Sequence, residues 1–374
     1  HPSSRRTTNE TVRLMRAALA AEGVPADVLQ CIERPSIPLA NLLMALGDLT
    51  IATGGPAMVK AAYSSGKPAY GVGAGNASMV IDETADVDDS ARNSANSKTN
   101  DHGSGCSADG NLLVADGIYD RFLEALQREG GYVVHGEEKE RLRAAYWDAE
   151  GVRTADTIAR PAAAIAAKAG ILLPEGKRFF IAEETRIGKD NYFSKEKLGV
   201  VLSTFRFHDF DHALDLVRQI FEVGGKGHSC GIYSFDDDHI HRLALAAPVS
   251  RIMVRQIQSR SNAGNFTNGM PQTSSMGCGI WGGNITNENI ALKHYMNVTW
   301  VSRPIAEDKP SEAELFGAFY NTLTASSDTR NVMPGGNAKL GLLASNTWSD
   351  TSNYGVRARE EPKLTSNLTA IAGI

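Results

Sequence analysis

Leu49-Thr50-Ile51-Ala52-Thr53-Gly54-Gly55-Pro56-Ala57-Met58-Val59-Lys60-Ala61-Ala62-Tyr63 reads as a short strand, a turn of small residues and a helix. Gly66 and Pro68 stop that helix, because one frees the backbone and the other removes a donor. A second strand over 69–72 then meets Gly73-Ala74-Gly75-Asn76, and an apolar run over 78–81 predicts a third. Strands and helices in alternation, with glycines at strand ends, predict an α/β layer with a parallel sheet.

The same alternation extends outward. Helical spacing marks 11–21, 119–127, 137–147, 162–169, 212–222 and 239–246, and a further helix runs from about 90 to 99. Strand patterns mark 112–114, 179–182, 200–205, 231–235 and 252–254. Two α/β domains with a boundary near Gly103 are expected. Residues 1–103 would be a cofactor domain, 104–285 a catalytic domain and 286–320 a return segment with oligomerisation contacts. Residues 321–374, rich in Ser, Thr and Asn, would form an atypical polar tail.

Composition narrows the function. The 374 residues carry 38 basic and 43 acidic side chains, a formal net charge of −5, which gives no reason to expect a nucleic-acid partner. The most apolar stretch, 162–173, is broken by Lys168, so no membrane span is expected. Cys31, Cys106, Cys230 and Cys278 form no C-x-x-C pair, so no metal site is expected. Either all four are buried thiols of a reducing cytoplasm or one is a nucleophile.

Several segments could carry chemistry. Small residues at Thr53-Gly54-Gly55 would let a phosphate or nicotinamide approach a helix N-terminus, although such a turn also serves as a plain connection. Cys106 lies in Asp101-His102-Gly103-Ser104-Gly105-Cys106-Ser107, where small neighbours leave room for substrate and for an oxyanion. Cys230 and Cys278 also sit among glycines, so local sequence leaves the choice open. His228, in Gly227-His228-Ser229, suits proton transfer or a structural turn equally. Glu196, in Lys195-Glu196-Lys197, reads as a solvated charge. Met276-Gly277-Cys278-Gly279-Ile280-Trp281-Gly282-Gly283-Asn284 suggests a loop against a ligand or an interface.

Together and in this order, these segments resemble the CoA-acylating aldehyde dehydrogenases, over residues 1 to about 303. The run from Ala52 to Pro68 and Gly71 to Asn76 is the most characteristic. Ser97-Lys98-Thr99 before Cys106, Glu196-Lys197-Leu198, Gly227-His228 and Gly277-Cys278-Gly279-Ile280-Trp281-Gly282-Gly283-Asn284 add to it. Arg255-Gln256 and Asn297-Val298-Thr299-Trp300 look most like the acylating enzymes for sulfoacetaldehyde.

The resemblance implies an aldehyde dehydrogenase-like fold, with a Rossmann-type cofactor domain and an α/β catalytic domain. It implies oxidation of a short aldehyde, sulfoacetaldehyde first, to its CoA thioester through a thioacyl group on Cys106. NAD or NADP would be the cofactor and CoA the co-substrate. His228 would transfer protons. Thr53, Gly54, Gly55, Gly73, Gly75 and Gly277 would line the cofactor, and Glu196 would touch the nicotinamide ribose. Arg255 or Arg260 could pair with a sulfonate. A cytoplasmic homo-oligomer is expected. The family also carries an N-terminal portion, with an oxyanion-hole asparagine, that this chain is expected to lack. Acetaldehyde as substrate, a hydrolytic enzyme, and a truncated homologue with only a structural or assembly role are the alternatives.

Overall fold

A computed structural model describes residues 4–25 and 27–319. The expected polar tail and the start at His1-Pro2-Ser3 lie outside these residues. Nine strands follow in chain order: β1 (Thr50–Thr53), β2 (Ala69–Val72), β3 (Ser78–Ile81), β4 (Asn111–Ala115), β5 (Gly131–Val133), β6 (Phe179–Glu183), β7 (Val201–Phe207), β8 (Cys230–Tyr233) and β9 (Ile252–Val254). The helices are α1 (Arg5–Ala21), α2 (Ile37–Leu46), α3 (Pro56–Tyr63), α4 (Val87–Thr99), α5 (Tyr119–Arg128), α6 (Gly136–Tyr146), α7 (Ala162–Ala169), α8 (Phe210–Val223), α9 (Asp237–Ala246), α10 (Gln258–Ser261) and α11 (Glu312–Phe316).

The strands form two sheets, β1-β2 and β5-β6-β7-β4-β3-β8-β9, and every pairing is parallel. A parallel sheet needs cover on both faces, and its central strands comply: every residue of β3, β4 and β8 is buried. The amphipathic helix α8 covers the sheet with Phe210, Leu214, Val217, Ile220 and Phe221, and Asp209 caps its start by accepting the His212 N–H at 2.8 Å. Helix α4 is different. Its buried side is Ser90, Ala91, Ser94, Ala95, Ser97 and Lys98, small residues apart from the lysine.

Two helix expectations change. Helix α1 starts at Arg5 rather than 11, because its first turn is polar and shows no apolar period. Helix α2 was not legible, since apolar residues fall all round it and no face stands out; it buries only Met44. The boundary near Gly103 does not divide the sheets. Sheet membership changes between β2 and β3, and Gly103 lies in the connection from α4 to β4 inside the larger sheet.

The chain divides into two compact units, His1–Met296 and Asn297–Ile374. The break lies beyond the expected one at residue 285, because Ile290 and His294 are buried in the first unit, where His294 meets the Tyr70 ring edge-on. In the second unit, Ser311 caps α11, and Glu314 returns the bond by accepting the Ser311 N–H at 2.7 Å. Among the described residues, no helix is long and apolar enough to cross a membrane.

Candidate active site

Strand polarity gathers the site. Asn76 precedes β3, Gly110 precedes β4, Glu196 leads towards β7, Ser229 precedes β8 and Arg251 precedes β9. With all strands parallel, these positions share one edge of the large sheet, the N-terminal one. The small sheet turns its C-terminal edge this way, because residues 73–77 carry the chain directly from β2 to β3.

Cys106 is delivered by a reversal after α4. Asp101, His102 and Gly103 all have positive φ, 46°, 50° and 70°, which costs energy at the first two and folds the chain back. The Cys106 Sγ then lies 3.0 Å from Nε2 of His228, whose Nδ1 is 2.9 Å from Ser229 Oγ. With the ring proton on Nδ1, Nε2 accepts the thiol proton.

Burial sets the protonation states. Burial first, then the charges of Glu196 and Cys278, pushes the Cys106 thiol up to about 11. Burial and the nearby Arg251 guanidinium pull His228 down to about 3. The resting pair is a neutral thiol against a neutral imidazole. Such a pair can pass a proton when an electrophile arrives, but it does not hold a standing thiolate.

Glu196 is no surface charge. It is half-buried, and its Oε1 accepts the Gly75 N–H at 3.1 Å while Oε2 lies 3.5 Å from Arg153. Burial raises its carboxyl and Arg153 opposes that rise. Gly75 is required here by space alone, since a Cβ would fall 1.9 Å from the Cys106 carbonyl oxygen. Gly75→Ala therefore displaces the backbone of Cys106. Its expected outcome is a drop in kcat of about 10²-fold, the size of effect that a 1 Å misplacement produces. Steady-state kinetics beside a melting curve check it.

The other expected cofactor residues divide. Gly73 lines a cleft of about 560 Å³ together with Pro56, Lys60, Gly225, Lys226 and Trp281. Thr53, Gly54 and Gly55 form the turn into α3, whose first-turn N–H groups receive no side-chain cap, and a Cβ on Gly55 would meet open space. An anionic group fits there. Gly277 faces elsewhere: a Cβ would fall 2.3 Å from the Thr286 carbonyl oxygen, and its own carbonyl accepts Arg251 Nη2 at 2.7 Å.

Arg255, expected at the substrate, is not brought to Cys106. Arg255 follows the last residue of β9 and is exposed, its guanidinium bonded to the Ser234 carbonyl and lying 4.5 Å from the Phe235 ring centre. That is the far end of the strand from Arg251, about 13 Å away at strand rise. Arg260 is exposed on α10. A buried cation at the site that the sequence reading did not single out is Arg251. It holds the loop carbonyls of Gly277 and Asn287, forms no ion pair among the described residues, and opposes the rise of the Cys106 and Cys278 thiols. A basic residue directly before an apolar strand was the available signal. No group of residues suited to a metal ion occurs among the described residues.

The sequence model of the aldehyde dehydrogenase family matches residues 2–144. A sulfoacetaldehyde dehydrogenase of Acholeplasma sp is 42% identical over 333 residues, 88% of this chain and 69% of that protein. An acetylating aldehyde dehydrogenase from Geobacillus thermoglucosidasius superposes with a TM-score of 0.78 at 34% identity, covering 82% of this chain and 69% of that one. A Rhodopseudomonas palustris propionaldehyde dehydrogenase, solved with bound CoA and an acylated cysteine, has a TM-score of 0.68 at 26% identity, covering 77% and 64%. Set beside a half-buried thiol on a buried imidazole at the edge of a parallel sheet, these likenesses place the chain in the aldehyde dehydrogenase family, among its acylating members.

Proposed function

We propose that this protein oxidises sulfoacetaldehyde to its CoA thioester with NAD or NADP, and that Cys106 carries the acyl group. The observation that carries the chemistry is the 3.0 Å approach of Cys106 Sγ to a neutral His228. His228 takes the thiol proton as sulfur bonds to the aldehyde carbon and the carbonyl oxygen becomes an oxyanion. When bound, the nicotinamide supplies the acceptor for the hydride that leaves this carbon. Loss of hydride restores the C=O bond and leaves a thioester on Cys106. Once His228 has released the first proton to solvent, it takes the proton of the CoA thiol as that sulfur bonds to the acyl carbon, the bond to Cys106 breaks, and His228 returns the proton to the protein sulfur.

The remaining residues support this sequence. The small residues at the start of α3, which carries no side-chain cap, leave room for a dinucleotide phosphate, and Gly73 lines the cleft beside them. Glu196 is held by Gly75 and Arg153 within reach of the same edge, where it would meet the nicotinamide ribose. Arg251 makes an imidazolium costly and a thiolate less so. The sulfonate preference rests on the 42% identity to the Acholeplasma enzyme. Turnover of sulfoacetaldehyde, acetaldehyde and propionaldehyde, each with both cofactors and CoA, tests it. A kcat/KM for sulfoacetaldehyde at least about tenfold above the others is expected, and equal values would contradict the preference. Carboxylate as product with no acyl-CoA would favour the hydrolytic alternative.

The neutral resting thiol has its own consequence. In His228→Asn, where no base assists, the rate of Cys106 alkylation by iodoacetamide, followed by peptide mapping, should rise about tenfold per pH unit from 6 to 9 with no plateau, because thiolate accumulates only towards about 11. A plateau near neutral pH would show a standing thiolate.

A further inference from the structure

Behind Cys106 lies a small cavity of about 10 Å³, the room of one water molecule. Its walls include Cys106, Glu196, Lys98 and Lys197. Lys197 is engaged: its Nζ donates to the Gly110 carbonyl and to Asn111 Oδ1, both at 2.9 Å. Asn111 passes a bond to Asn76 Oδ1 at 3.0 Å, and Asn76 donates to the Ser194 carbonyl at 2.9 Å. Lys98 is different. It is 1% exposed, and its ammonium donates no direct hydrogen bond among the described residues. A buried ammonium is costly unless something in its cavity satisfies it.

We propose that Lys98 is a positioning residue for Glu196, joined to its carboxylate by one water in this cavity, so that the pair fixes how Glu196 meets the cofactor ribose. This rests on the reading of Glu196 given above. Glu196 needs such help, because Gly75 occupies Oε1 and Arg153 stands 3.5 Å from Oε2, while burial works against its charge. The charged groups facing Lys98 are Asp109 and Glu196, which favour its ammonium, and Arg153, which opposes it; the neighbouring Lys197 is itself held well below the usual lysine range by burial and by Lys98. Burial outweighs them and lowers Lys98 to about 8. Lys98 is therefore a cation below that pH and neutral above it.

The test titrates the full chain with NAD+ and NADP+ by tryptophan fluorescence between pH 6.5 and 9.5, comparing wild type, Lys98→Met, Lys98→Arg and Glu196→Gln, with melting curves alongside. Wild type should lose affinity above pH about 8. Lys98→Met should bind about tenfold more weakly at pH 7, the size of a lost charge-assisted contact, and show no such limb. Its cofactor KM should rise while kcat at saturating cofactor stays within about twofold. Lys98→Arg, always charged, should lack the limb and keep the affinity; with the wild-type pH series it decides the matter if Lys98→Met does not fold. Weakened Glu196→Gln beside an unchanged, folded Lys98→Met overturns the role of Lys98 alone. An unchanged Glu196→Gln, or a chain that binds neither dinucleotide, overturns the reading of Glu196 and this proposal with it.

Discussion

Cys106→Ser lowers acyl-CoA formation by at least about 10³-fold, with the fold retained. Serine keeps the shape and can still bond to His228 Nε2, so the melting temperature should move little. It loses both halves of the chemistry. A hydroxyl gives up its proton far less readily than a thiol, and an acyl ester on oxygen yields to an incoming thiol far less readily than a thioester. Loss of NAD(P)H formation and of acyl-CoA together, measured by absorbance and by chromatography, checks this. Cys230 and Cys278 could not take over: both are buried, burial pushes Cys230 up to about 12, and burial raises Cys278 as well.

His228→Asn has the second largest effect. Asparagine fills part of the imidazole volume but cannot accept a proton. General-base assistance is worth about 10²- to 10⁴-fold, and kcat for the acylation half-reaction should fall by that amount. The pH dependence separates this from simple misfolding. Wild type has a neutral base throughout, because His228 protonates only near 3. Its rate should therefore show no step between pH 5 and 8. In His228→Asn the thiol must ionise unaided, so its rate should climb about tenfold per pH unit towards about 11, closing the gap at high pH. A wild-type step near 6.5 would mean that the imidazole is less buried than this structure has it.

Much of the site was legible in the sequence because its parts sit in glycine-rich segments. A glycine such as Gly75, whose Cβ would strike Cys106, leaves a trace in any reading of small residues. Charged groups left no such trace. Glu196 between two lysines looks solvated, yet the backbone of Gly75 and the guanidinium of Arg153 draw it inward. Lys98 falls in a polar helix whose buried face is mostly serine and alanine, so no apolar period marks it as interior. Arg251 and Arg255 are four residues apart and chemically alike. Only strand direction tells them apart, since β9 carries one to the catalytic edge and the other to the opposite edge. The connection at Gly103 read as a boundary for a related reason. Three successive positive-φ residues make a reversal inside one sheet, and a reversal built of polar and small residues reads like a linker.

The most direct measurement is mass spectrometry of the chain after incubation with sulfoacetaldehyde and NAD(P)+ in the absence of CoA. The expected result is one added acyl group, mapped to the peptide holding Cys106, that disappears on addition of CoA as the acyl-CoA thioester forms. Reduced cofactor without any adduct on Cys106, or an adduct that CoA does not discharge, would contradict covalent acyl transfer through this cysteine.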